Sequence, residues 1–129
     1  MKAFRYVIVG VFLSVLCSSA LQARVDAIRY VSVPNATTLK IKEGSPNAIW
    51  TTLVNNNSIK DVSVTDTRVA YIDSGYRLWV KEGGLSSQWA HVADNVYRVE
   101  LQGNRIFVID NYFKLRVKVG PLNAGWVDL

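Results

Sequence analysis

The feature that most constrains this 129-residue chain is a pattern written nearly three times over. Leu39-Lys40-Ile41-Lys42-Glu43-Gly44, Leu78-Trp79-Val80-Lys81-Glu82-Gly83 and Leu115-Arg116-Val117-Lys118-Val119-Gly120 are each followed by five residues and a tryptophan, at Trp50, Trp89 and Trp126. The copies lie 39 and 37 residues apart, and the upstream halves keep the same spacings. Arg29, Arg68 and Arg105 correspond. Val69-Ala70-Tyr71-Ile72-Asp73 matches Ile106-Phe107-Val108-Ile109-Asp110, and Val62-Ser63-Val64 matches Val99-Glu100-Leu101. Such self-similarity marks a repeat architecture, in which a unit too small to bury its own apolar faces stacks on its neighbours.

Each unit is predicted to hold four short strands. In the second they run from Lys60 to Thr65, Arg68 to Asp73, Arg77 to Glu82 and Gln88 to Ala93, rich in Val, Ile, Tyr and Trp with alternating apolar positions. Asp66-Thr67 and Gly103-Asn104 have the chemistry of tight hairpin connections, and Ser74-Gly75 and Gly83-Gly84 mark further turns. No stretch has an amphipathic helical period. The expected fold is all-β, with about three tandem four-stranded antiparallel repeats resembling β-propeller blades. Leu39, Leu78 and Leu115 are expected in the faces between blades. Gly44, Gly83 and Gly120 are expected at turns that need positive φ, and Trp50, Trp89 and Trp126 are expected to pack at the start of the fourth strand.

The N-terminus has a different character. Lys2 and Arg5 precede an apolar run from Tyr6 to Cys17, then the small residues Ser18, Ser19, Ala20 and Ala23. Basic, apolar, small is the order of a secretory signal peptide, and the run is short of the ~20 residues that span a bilayer comfortably. The expectation is a leader over 1–23, cleaved after Ala20 or Ala23, with an uncleaved anchor as the alternative. The product would be secreted or periplasmic and would retain no membrane span. The repeat domain would occupy 24–129, with units of about 24–54, 55–94 and 95–129. Cys17 is the only cysteine, so the domain beyond the leader holds together without disulfides. Loss of Lys2 and Arg5 lowers the formal charge from +5 to +3, with no Lys/Arg-rich run, which gives no reason to expect a nucleic-acid partner.

The first unit is truncated. Val25 falls where its first strand should end, so the units hold three, four and four strands. Closed propellers usually have ~4–8 blades. An incomplete ring exposes edges and apolar faces. Completion as a symmetric homo-oligomer is the simplest way to cover them, and the alternatives are a closed barrel made from the same strands or a chain that is a fragment.

The segments from Leu78 to Trp89 and from Leu115 to Trp126 resemble repeats of the tectonin and tachylectin-type propellers, and the resemblance extends from about Arg29 to Leu129. It implies a propeller fold and often carbohydrate binding between blades.

The residues give little support to an enzyme. His91 is the only histidine and is not repeated, its equivalents being Thr52 and Asp128. No Gly-x-Ser-x-Gly turn, phosphate-binding glycine loop or zinc-type ligand set is present, so no catalytic residue, metal or cofactor is expected. Two binding functions remain. A glycan-binding module needs an aromatic platform with planar hydrogen-bonding groups beside it. Trp79 is the candidate platform: it alternates with Leu78 and Val80 and is expected to point outward, while its equivalents are Lys40 and Arg116. Arg77, Arg68, Arg105 and Glu82 are the candidate hydrogen-bonding partners. The alternative is a protein-interaction or scaffold module working through exposed blade edges.

Overall fold

The computed structural model describes residues 28–129 in full. Of the preceding segment it describes only the backbone of three two-residue strands, β1 (Val7–Ile8), β2 (Leu13–Ser14) and β3 (Arg24–Val25). The leader reading, with its cleavage site, otherwise lies outside the described residues.

Every element from residue 28 onward is a strand or a turn, and the strands form three antiparallel sheets. Blade 2 contains β7 (Asp61–Val64), β8 (Arg68–Ile72), β9 (Leu78–Glu82) and β10 (Trp89–Ala93), each paired with the next. Blade 3 repeats that order with β11 (Val96–Gln102), β12 (Arg105–Asp110), β13 (Leu115–Val119) and β14 (Val127–Asp128). Blade 1 contains β4 (Arg29–Ser32), β5 (Leu39–Glu43) and β6 (Thr51–Val54). Its inner position is filled by β1, with Val7 opposite Val31 and Ile8 opposite Tyr30. This differs from the sequence expectation, which ended that strand at Val25. Arg24–Val25 pairs instead with Leu13–Ser14. The inner edge of β4 needs a hydrogen-bonding partner, and the β-branched Val7 and Ile8 supply it.

The turns follow from side chains at fixed offsets. Asp73 Oδ1 accepts hydrogen bonds from the backbone N–H of Gly75 (2.9 Å) and Arg77 (3.0 Å). Asp110 Oδ1 does the same for Tyr112 (2.9 Å) and Lys114 (3.0 Å). The loop between the third and fourth strands opens on Gly44, Gly83 and Gly120, at φ of 85°, 86° and 89°, where a side chain would be strained. The repeated lysine then locks that loop. Lys81 Nζ donates to Leu85 O and Ser87 O and lies 5.0 Å from the Trp89 ring centroid. Lys118 repeats this with Leu122 O, Ala124 O and Trp126, and Lys42 with Pro46 O and Trp50. Burial depresses the pKa of both Lys81 and Lys118.

Two apolar layers lie between the blades. Val31, Leu39 and Ile41 of blade 1 meet Val62, Val64, Val69 and Tyr71 of blade 2. On the opposite face of blade 2, Ala70, Ile72, Leu78 and Val80 meet Val99, Leu101, Ile106 and Val108 of blade 3. The middle sheet is thus covered on both faces, and every residue of β7 and β8 is buried.

The repeated arginine joins one blade to the next. Arg29 binds Glu43 of its own blade (2.7 Å) and donates to Gly83 O of blade 2 (2.7 Å). Arg68, 4% exposed, binds Glu82 (3.1 Å) and donates to Gly120 O (2.6 Å) and Asn104 O (3.1 Å) of blade 3. The carbonyls accept from a buried cation, whereas Glu82 is half exposed and screened by water. Arg68→Met is therefore expected to cost about 2–3 kcal/mol in urea denaturation, from charge-assisted hydrogen bonds lost at the blade interface. Glu82→Gln is expected to cost under about 1 kcal/mol, as for other exposed ion pairs.

Candidate functional site: the uncovered face of the third blade

The strand registers place the side chains that each blade turns toward its successor in cross-strand rows. In blade 2 the rows are Asp61, Ile72 and Leu78, then Ser63, Ala70 and Val80. In blade 3 they are Arg98, Ile109 and Leu115, then Glu100, Phe107, Val117 and Val127. Among the described residues no blade covers the second set, within which Val117 is nevertheless buried. Leu39 and Leu78 are completely buried, but Leu115 is 43% exposed, and Val119, Val127 and Leu129 are exposed beside it.

The two faces also differ in chemistry. Asp61 Oδ2 accepts from the Val99 N–H (3.1 Å), and Ser63 Oγ from the Leu101 N–H (2.9 Å), so short acceptors on blade 2 satisfy the inner strand of blade 3. Arg98 and Glu100 stand at those positions in blade 3. Phe107 replaces Ala70, and Val119 replaces the Glu82 that pairs with Arg68, leaving Arg105 exposed at the third arginine position.

A groove of about 310 Å³ follows this face, between Asp61, Arg98 and Glu100 at its inner margin and Phe107, Ile109 and Leu115. It adjoins a hollow of about 330 Å³ lined by Tyr97, Arg98, Ile109 and Phe113, and another of about 380 Å³ that includes Lys60, Tyr76 and Arg98. All three meet at Arg98. Their rim is aromatic. Tyr76 meets Tyr97 edge-on with centroids 4.9 Å apart, and Tyr97 stacks on Phe113 at 6.1 Å. Tyr76 and Phe113 occupy equivalent turn positions at φ of 59° and 62°, a region bulky residues rarely adopt. Phe113 is 82% exposed.

The candidate glycan-contacting residues fall on two sides of blade 2 and on blade 3. Arg77 and Trp79 come together through Asp73, whose Oδ2 accepts from Arg77 Nε (2.8 Å) and Trp79 Nε1 (2.9 Å). The Trp79 ring is half-buried on the face toward blade 1, with the Arg77 guanidinium 5.8 Å and the His91 ring 5.2 Å from its centroid. Alternation with Leu78 and Val80 put Trp79 on the opposite side of the strand, but that side is also roofed by a blade, so it is not fully exposed. Arg68 and Glu82 come together in the contact with blade 3, away from Trp79. Arg105 lies exposed on the following blade. His91 is exposed and binds Asp94 at 3.0 Å. Among the described residues there is no cluster of His, Cys, Asp and Glu suited to a metal ion. Sequence reasoning did not single out Arg98, Glu100, Phe107 or Leu115 as site residues. The signal was present in the departures of blade 3 from the repeat, Phe107 for Ala70 and Val119 for Glu82.

No family model matches the sequence, and no curated protein is similar to it. Among solved structures, the fold is similar to the N-terminal domain of Nup159, with a TM-score of 0.57 at 10% identity over 88% of this chain and 32% of that one. It is also similar to YCF48 bound to D1 peptide, with a TM-score of 0.58 at 10% identity over 100% of this chain and 43% of that one. Both are β-propeller proteins, and the present chain spans less than half of either. The chain is an all-β, propeller-like blade stack whose ring is not closed.

Burial alone would raise the Asp73 carboxyl pKa. Hydrogen bonds from Trp79, from the Arg77 backbone and side chain, and from the Gly75 backbone outweigh burial and hold it below the usual carboxylate value. The folded value lies below the unfolded one, so the stabilisation is complete above the ordinary carboxylate range and is lost as pH falls through the depressed folded value. Asp73→Ala is expected to lose about 2–3 kcal/mol at neutral pH and to show a shallower acid-side decline in urea midpoints than the parent protein.

Proposed function

We propose that this chain is a non-enzymatic protein-interaction module whose working surface is the uncovered face of blade 3. The observation that carries this reading is the contrast between Leu39 and Leu78, fully buried under the following blade, and Leu115, exposed at the same position. An apolar sheet face rimmed by aromatic and charged groups is a surface that excludes water when a partner docks. Peptide binding is recorded for one of the fold neighbours, YCF48.

The reading is tested with a photo-crosslinking benzoylphenylalanine placed at position 115 and, as a control, at exposed position 49 of blade 1. Protein adducts from position 115 and none from position 49, formed in the expressing cells, are expected. Absence of adducts from both positions refutes the reading.

The tectonin-type carbohydrate-binding reading is second. It is favoured by the Arg77–Trp79–His91 cluster, whose ring orientation is fixed by Asp73. A glycan array on the parent protein and on a folded Trp79→Ala variant decides it. Binding by the parent that the variant loses supports this reading, and no binding by the parent removes it.

A further inference from the structure

The open face differs from the covered face of blade 2. At the interface between blades 2 and 3, the covered face offers short acceptors to the next inner strand, a small residue at Ala70 and an Arg–Glu pair reaching a glycine carbonyl. Blade 3 has changed all three, with Arg98 and Glu100, Phe107 and Val119. On blade 1, Tyr30, Ser32 and Lys40 stand where blade 2 turns Val69, Tyr71 and Trp79 onto its neighbour, so that face of blade 1 is more polar than its counterpart on blade 2.

The face is, however, complementary to itself. Its two central rows are Arg98–Ile109–Leu115 and Glu100–Phe107–Val117. Each begins with a charge at the inner strand and continues with two apolar residues, and the charges have opposite sign. A two-fold axis lying between the rows, in the plane of the face and perpendicular to the strands, lays each row on the other row of a partner. Arg98 then meets Glu100 twice over. Ile109 lies over Phe107 and Leu115 over Val117, in the reciprocal contact that an isologous interface requires. Packed sheets keep their strands close to aligned, which this antiparallel arrangement satisfies.

The geometry points to a second copy of this chain as the occupant of the blade 3 face, in a two-fold face-to-face dimer. This rests on the reading of that face as a protein-interaction surface, and it replaces ring completion with a closed pair.

The test is charge reversal followed by sedimentation, using the full chain as expressed. The parent protein is expected to sediment as a dimer. Arg98→Glu and Glu100→Arg each place like charges together at two symmetric sites, and each is expected to weaken the dimer by about tenfold or more. An equimolar mixture of the two variants restores opposite charges at both sites and is expected to recover dimer, as is the double variant. Both residues are exposed in the monomer, and far-UV circular dichroism checks that the variants fold. A monomeric parent, a trimer or larger ring, or dimers indifferent to both reversals would each overturn the inference. A monomeric parent that still forms adducts with another protein from position 115 would overturn the second copy alone and leave the interaction surface standing. A parent without adducts would remove both.

Discussion

The architecture depends on an arginine that belongs to one blade and is satisfied by the next. Arg29 and Arg68 are buried, and a buried guanidinium must find acceptors for its donors. Each has one carboxylate on its own sheet and donates to the carbonyl of the loop glycine of the following sheet, Arg68 also reaching Asn104 O. The apolar layers between blades contribute most of the burial, but they are tolerant of sliding. The arginine is not, because its hydrogen bonds have a fixed length and direction. It sets the spacing and register with which one repeat is laid on another. The glycine it reaches must have positive φ and a loop held in place, which the lysine–tryptophan lock provides. The repeated Arg, Glu, Gly, Lys and Trp are therefore parts of one joint.

The third repeat departs from that joint, with Val119 at the position of the carboxylate. The short acceptors of the inner strand give way to Arg98 and Glu100, and Ala70 gives way to Phe107. At the other end of the stack, Tyr30, Ser32 and Lys40 replace the apolar Val69, Tyr71 and Trp79. Blade 1 has thus departed from the repeat toward polar residues, and blade 3 toward an apolar face with paired charges.

The sheets and their turns were legible in the sequence because their causes are local. Asp73 and Asp110 close their turns with side-chain bonds to residues two and four positions on, and alternation over four or five residues identifies a strand. The strands of blade 2 lie within a residue or two of where the pattern places them. The inner strand of blade 1 was misplaced because the apolar run that supplies it also has the composition of a leader, and composition does not distinguish the two. Trp79 was expected at the surface because alternation tells which residues share a face, and not whether that face meets water or another sheet.

What the sequence alone determined is the unit: four short strands, their turns, and near-threefold repetition with its period. These follow from contacts between residues close along the chain. Only the tertiary structure decided which unit faces are covered, what Arg68 does, and where the open surface lies. Arg68 reaches residues 36 and 52 positions away, on a different sheet. Leu115 is indistinguishable from Leu39 and Leu78 in sequence and differs in being exposed. Burial is set by how sheets stack, and stacking depends on partners distant along the chain.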